Sequence, residues 1–239
     1  MSQYDLTIVF PVYNEARRID LHKERVNELS FKHSVQIVYV NDGSVDGCFE
    51  MMKQDLSADH VKFVENPRNL GKGGAVRTGI EASDGSYVLF TDFDVPVAPE
   101  VFEGIFKQIY GKEQTVIIGV RKKTNEVKKS ESRIRKYLSW GFQSFLKWVI
   151  GIKVTDSQCG FKIFDNKSGK EIFSRMKTNG FAFDVEMLLL AQRLGVKVEE
   201  YPVVILEDCG PSTINIFVDP FKMVIEILKI RWRLIFAKV

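Results

Sequence analysis

Cysteine and histidine are scarce, with three of each among 239 residues. Cys48, Cys159 and Cys209 stand far apart without C-x-x-C spacing. That excludes the common zinc and dithiol motifs and suits reduced thiols in a cytoplasm. His22, His33 and His60 fall outside every motif described below, so no His-based acid–base pair is in evidence. No apolar run approaches the roughly 18 residues that a membrane span needs, and no long polar or low-complexity tract argues for disorder. Met1 to Asp5 lead straight into strand-like residues, so no targeting segment is expected. The glycine-rich stretch Asn69-Leu70-Gly71-Lys72-Gly73-Gly74-Ala75 lacks the G-x-x-x-x-G-K-S/T pattern. Val76 occupies the third small position of a dinucleotide fingerprint, so neither a P-loop NTPase nor a dehydrogenase is supported.

What is present is an ordinary globular composition, 45% hydrophobic and 27% charged, in a chain long enough for one domain with appendages. The net charge of +3 is uneven. Residues 121–153 hold ten Lys/Arg against two Glu, and residues 222–239 hold five against one, so these two stretches carry +12 and the remainder −9. Both basic stretches are rich in Trp, Phe and Leu, a combination that suits an anionic membrane interface. Nucleic acid is the rival partner for basic patches, but no recognition motif accompanies these, and no nucleic-acid partner is expected.

Strand-like runs Leu6–Phe10, Val35–Val40, Val61–Glu65, Val88–Phe90 and Thr115–Gly119 alternate with helical ones. That order predicts a doubly wound, mostly parallel α/β sheet. The fourth run ends in Asp92-Phe93-Asp94. In extended backbone, residues two apart point the same way, and two carboxylates so placed repel unless a cation lies between them. Mg²⁺ takes one or two carboxylates and completes its shell with water and substrate phosphates, so the pair suggests a diphosphate-bearing substrate at the carboxyl edge of the sheet. A helix cap for the segment starting near Pro99 is the alternative. Glu15 is predicted to open a helix to about Leu29, and Asp46 to cap the next one. Asp42, after the second strand, can accept a ring N–H from a base. Lys72, at a helix N-terminus, is a charge-assisted phosphate donor.

Taken together, these motifs resemble a family. Phe10-Pro11-Val12-Tyr13-Asn14-Glu15, Asn41-Asp42-Gly43-Ser44-x-Asp46, Asn69-x-Gly71-Lys72-Gly73 and Asp92-Phe93-Asp94 are similar in order and interval to the family 2 inverting glycosyltransferases of the GT-A fold. Asp156-Ser157-Gln158-Cys159-Gly160-Phe161-Lys162, Gly180 to Glu186, and Glu200-Tyr201-Pro202-Val203 resemble its polyprenyl-phosphate branch, the dolichyl- and undecaprenyl-phosphate glucosyl- and mannosyltransferases. The resemblance implies that Pro11, Tyr13, Glu15, Asp42 and Lys72 hold the nucleotide-sugar donor, and that Asp92 and Asp94 hold Mg²⁺ or Mn²⁺ with its diphosphate. It implies catalytic duties for Asp94, Asp156, Arg121 and Arg135, and an acceptor side of Arg135, Ser139, Gln158 and Ser212. Two positions depart from the family pattern: Pro96 replaces a Gln that often ligates the metal, and Ser212-Thr213 replaces a common Ser-Lys.

The resemblance implies a hexosyltransferase that moves a sugar from a nucleotide diphosphate, UDP-glucose favoured, to a polyprenyl phosphate. A phosphate monoester, with a second pKa of about 6, is already a nucleophile at neutral pH and needs no strong base. A saccharide or cell-wall hydroxyl acceptor would need one, such as Asp156 or Glu186. A nucleotide-sugar-binding protein without turnover is a further alternative. Expected units are a domain over residues 1–215, with a nucleotide-binding half to 120 and an acceptor-side half from 121, then a helix over 216–239. Tyr137–Ile150 reads as a helix with Leu138, Phe142, Phe145, Leu146 and Val149 on one face. In the last segment Phe221, Val224, Ile225, Leu228, Trp232, Ile235 and Phe236 share one face, and Met223, Ile227, Ile230 and Leu234 the opposite one. One face should pack on the protein, and the other should meet lipid, a membrane-spanning partner or a second copy. The expected place is peripheral, on the cytoplasmic face of the membrane.

Overall fold

The computed structural model describes residues 2–29, 32–122, 141–204, 206 and 219–236. Seven strands form one sheet: β1 (Tyr4–Val12), β2 (Val35–Asn41), β3 (Val61–Glu65), β4 (Gly85–Phe90), β5 (Thr115–Arg121), β6 (Lys162–Asp165) and β7 (Lys197–Val203). Their order is β3-β2-β1-β4-β6-β5-β7. All pairings are parallel except those of β6, which runs antiparallel to both β4 and β5. The mostly parallel sheet is the expected one. The interposed β6 is a feature that the reading of five runs did not contain.

Alternation along the strands divides the core. Val9, Val88, Phe90, Val116, Ile118 and Phe164 enter one cluster, while Leu6, Ile8, Phe10, Leu89, Ile117 and Ile163 enter the other. Helices α1 (Ile19–Asn27), α2 (Cys48–Leu56) and α4 (Pro99–Ile109) cover the second face. The first face is covered by α3 (Lys72–Glu81), α5 (Asn166–Arg175), α6 (Phe183–Arg193) and α7 (Asp219–Phe236). Both faces being buried explains why the parallel strands read as continuous apolar runs.

Three local readings are corrected. The helix expected from Glu15 begins later, with a 3₁₀ turn over Ala16–Arg18 and α1 from Ile19. Asn14 is left-handed at φ 56° and the Ala16 N–H is drawn to Asp46 Oδ2 at 2.9 Å, so the chain stays in the loop until then. Asp92 and Asp94 do not lie in extended backbone. They belong to a turn closed by the Val95 N–H on the Asp92 carbonyl at 3.0 Å, yet Phe93, Val95 and Val97 are still buried while Asp92, Asp94 and Pro96 are partly exposed. Neither carboxylate caps α4, whose N-cap is Ala98 with Pro99 following. Lastly, Val149 leaves the apolar face assigned to it and is 46% exposed, while Leu146 and Ile150 are buried. A π-helical turn over Leu146–Ile150 widens the spacing that a 3.6-residue period assumes.

The two faces of α7 part as expected. Ile227 and Ile230 are buried, with Met223 and Leu234 packed against the same cluster, whereas Ile225, Leu228, Trp232, Ile235 and Phe236 are exposed. Among the described residues no helix is long and apolar enough to cross a membrane.

α1 docks through His22, which is fully buried. Burial lowers its pKa to about 4, against the opposing pull of a hydrogen bond to the Phe93 carbonyl. A folded-state pKa below the unfolded value near 6.5 favours the neutral ring in the fold, so this contribution is complete above pH 6.5 and is lost as pH falls toward 4. Urea titrations at pH 7, 6 and 5 should show stability falling by up to about 1.4 kcal/mol per pH unit from this group. A His22→Phe variant should lack that part of the slope; an unchanged slope would refute the assignment.

Candidate active site

Because β1, β2, β4 and β5 run parallel and β6 opposes them, the carboxyl ends of those four strands and the loop before β6 lie at one edge of the sheet. The loops after β1 and β2 are riveted together. The Asn14 N–H donates to Ser44 Oγ at 3.0 Å, the Val45 N–H to Asn14 Oδ1 at 2.9 Å, and the Ala16 N–H to Asp46 Oδ2; Asp46 does not cap α2 as expected, since the N-cap is Gly47, which has no side-chain cap. Asp42 is buried and its carboxylate clamps the next loop. Oδ1 accepts from Asn66 Nδ2 at 2.8 Å and from the Leu70 N–H at 2.9 Å, and Oδ2 accepts from the Gly71 N–H at 2.8 Å. Gly71 sits at φ 87°, where a side chain would be strained, and Lys72 follows as the first residue of α3.

Lys72 Nζ lies 2.5 Å from Asp92 Oδ1. Burial would lower the ammonium pKa, but Asp92, Asp184 and Asp94 raise it on balance. Glu15 stands in the same negative field. Its pKa is raised first by burial and further by Asp94, Asp46 and Asp92, with Arg18 opposing. Gly160 presses on the Asp92 carboxylate so closely that a Cβ would fall 2.2 Å from Oδ2.

Beside these groups opens a cleft of about 220 Å³, lined by Arg25, Asp92, Asp94, Arg121, Gln158 and Gly160 among others. Pro96 lines it too. Gln158 Nε2 finds no acceptor among the described residues. Arg121 is gripped by Asp156 in a two-point pair, Nε to Oδ2 at 2.6 Å and Nη2 to Oδ1 at 2.9 Å. Burial would raise the Asp156 pKa, but the Arg121 hydrogen bonds and charge hold it below the usual carboxylate range. Such a carboxylate is a weak base that orients a cation. Glu186 is also committed. It is buried and accepts from the Thr178 N–H at 2.7 Å, from the Lys177 N–H and from Arg233 of α7.

Of the residues picked out in the sequence, Asp92, Asp94, Arg121 and Gln158 meet in the cleft, with Lys72 and Asp156 attached to Asp92 and Arg121. Pro11, near the end of β1, and Tyr13, Glu15 and Asp42, on the loops beyond β1 and β2, lie at the same edge rather than on the cleft walls. Arg135, Ser139 and Ser212 lie outside the described residues. Arg25 of α1 also lines the cleft but carried no signal, since a lone Arg on a polar helix face reads as solvated.

The two carboxylates on one wall, Asp92 and Asp94, fit a hard divalent ion whose shell is completed by water and substrate oxygens. No cluster of three His, Cys, Asp or Glu able to hold a metal occurs among the described residues.

Residues 7–173 match the model of glycosyl transferase family 2. Dolichyl-phosphate beta-glucosyltransferase of Dictyostelium discoideum is 30% identical over 95% of this chain and 74% of its own length. The enzyme of the same name from Saccharomyces cerevisiae is 33% identical over the same shares. Among solved structures, glucosyl-3-phosphoglycerate synthase from Mycobacterium tuberculosis in complex with phosphoglyceric acid superposes with a TM-score of 0.72 at 16% identity, covering 96% of this chain and 81% of that one. A complex of the same enzyme with Mn²⁺, UDP-glucose and phosphoglyceric acid gives 0.71 at 15% identity.

Proposed function

Because the chain belongs to glycosyl transferase family 2, we propose that it transfers glucose, with inversion, from UDP-glucose to the phosphate of a polyprenol such as dolichol or undecaprenol. The observation that carries the acceptor is the state of the two acids that the sequence offered as bases: Asp156 is paired with Arg121 and Glu186 with Arg233 and two backbone N–H groups. A hydroxyl acceptor would require such a base, whereas a phosphate monoester is already ionised at neutral pH.

Residues 1–120 supply the nucleotide half. Asp42 keeps one acceptor position on Oδ2 beyond its three protein bonds, available for a base N–H. Pro11, Tyr13 and Glu15 flank the nucleoside. Asp92 and Asp94 would hold Mg²⁺ or Mn²⁺, which when bound neutralises the departing diphosphate. Lys72 adds a cation beside Asp92. Residues 121–215 supply the acceptor half: Arg121, oriented by Asp156, with Arg135, Ser139 and Ser212 attends the phosphates, and Gln158 Nε2 donates to a sugar or phosphate oxygen. The bond from the anomeric carbon to the nucleotide oxygen breaks as the acceptor phosphate oxygen forms its own from the opposite side. Positioning and charge neutralisation do most of the work.

Access for a long isoprenoid comes from the bilayer. Trp148 is 80% exposed beside Lys147, and Trp232 and Phe236 are each 67% exposed on α7 near Lys229. Aromatics with adjoining cations suit the headgroup level of a membrane met from the cytoplasmic side. Incubation of the protein with Mg²⁺ or Mn²⁺, undecaprenyl phosphate and labelled UDP-glucose should give a lipid-extractable product. Absence of product with UDP-glucose, UDP-GlcNAc and GDP-mannose alike would overturn the reading, and transfer only to a saccharide hydroxyl would move the acceptor.

A further inference from the structure

The turn that carries Asp92 and Asp94 is held from behind by one helix. His22 Nδ1 lies 2.5 Å from the Phe93 carbonyl, and Nε2 lies 2.8 Å from the Tyr39 hydroxyl. A carbonyl can only accept, so Nδ1 carries the proton and Nε2 accepts from Tyr39. The ring also lies flat on Phe93, centroids 4.1 Å apart at 9°. One turn further along α1, Arg25 Nη1 donates to the Asp94 carbonyl and to the Val95 carbonyl, the latter at 3.2 Å. Three successive carbonyls, 93, 94 and 95, are therefore tied to two side chains of α1.

The consequence is directional. With these carbonyls bound to α1 and Phe93 and Val95 packed in the core, the Asp92 and Asp94 side chains emerge on the cleft wall. The backbone there is not at rest. Val95 has φ 45°, a left-handed conformation that a β-branched residue avoids unless its surroundings impose it. The bonds from α1, with the Leu206 N–H on the Pro96 carbonyl at 2.8 Å, are what impose it.

We infer that His22 and Arg25 are positioning residues that set the separation and aim of the Asp92 and Asp94 carboxylates toward a cation-bound nucleotide diphosphate. The inference rests on the reading of that pair given above. Its effect is outer-shell support: groups that orient carboxylate ligands influence metal affinity by about 10–100-fold. Because Arg25 lines the cleft and His22 packs on Phe10 and Tyr39 beneath the nucleoside loops, the readout is the ratio of UDP affinity with metal to that without, which loss of carboxylate positioning lowers and a general effect on UDP binding does not.

The test is calorimetry of UDP binding with and without Mn²⁺, together with melting temperature, for the wild-type chain and for Arg25→Met, Arg25→Lys and His22→Phe. Arg25→Met removes both carbonyl bonds, Arg25→Lys keeps a single-point donor, and His22→Phe keeps the stack on Phe93 without the donor. The expected result is a loss of about tenfold or more in the ratio of UDP affinity with Mn²⁺ to that without for Arg25→Met, and a smaller loss of that ratio for Arg25→Lys. If His22→Phe does not fold, the two Arg25 variants decide. Wild-type binding that ignores Mn²⁺ would remove the metal reading itself. Wild-type binding that needs Mn²⁺, with the same dependence in folded variants, would overturn the positioning roles alone.

Discussion

Replacing Lys162 by methionine should cost the fold about 3–5 kcal/mol, a large part of the stability of a domain of this kind. The side chain is fully buried, with Nζ 2.6 Å from Asp184 Oδ1 and 2.5 Å from the Cys159 carbonyl, and it lies 5.4 Å over the Phe90 ring. Methionine has nearly the same length, so the packing term is small. What remains is Asp184, itself buried, with burial already pushing its pKa up and Lys162 the first group opposing that. Without Lys162 the carboxyl must stay charged against burial or take up a proton, and the Cys159 carbonyl loses its donor. Urea denaturation at pH 7 measures the loss. The double variant Lys162→Met with Asp184→Leu should recover part of it, because removing both partners avoids an uncompensated charge. A single-variant loss under about 1 kcal/mol would show that the pair does not hold this part of the fold. Activity should fall as well, since Cys159 precedes the Gly160 backbone that abuts Asp92.

Lys162 also marks where sequence reading reaches its limit. Apolar runs exposed β1 to β5 because each is several residues long and bounded by turn formers. β6 is four residues long and begins with a lysine, which by default belongs on a surface. Only the partner Asp184, far along the chain and on α6, makes its burial tolerable, and no local pattern announces that pair. Asp156, Asp184 and Glu186 sit among recognisable motif residues, yet each is engaged in holding a cation or a loop in place. The family resemblance was legible because it lies in order and interval, and the two-faced α7 because eighteen helical residues carry enough period to sort. His22 and Arg25 were not, since what they grip is backbone, and a carbonyl has no sequence.

Asp94→Asn should lower kcat by about 10²–10³-fold while leaving stability unchanged or slightly raised. On the proposed reading, charge neutralisation at the departing diphosphate contributes several kcal/mol to the transition state, and each 1.4 kcal/mol is a factor of ten in rate. The variant is cleaner than the one at Asp92, whose carboxylate is paired with Lys72 and whose loss would leave that ammonium beside Asp184. Stability should not suffer, because Asp94 is a partly exposed member of a crowded negative group, and relief of repulsion tends to offset any lost contact. Measurement is of initial rates with UDP-glucose and polyprenyl phosphate over a range of Mn²⁺, alongside thermal melting. A rate within tenfold of wild type at saturating Mn²⁺ would sink the role of Asp94. A further readout is independent of turnover. Asp94 is one of the charges that raise the Glu15 pKa, after burial itself. In Asp94→Asn the Glu15 carboxyl should therefore titrate lower than in the wild-type protein, as followed by NMR of its carboxyl carbon. That shift would link the loop after β1 to the turn after β4 through charge alone, which a substrate spanning the two loops requires.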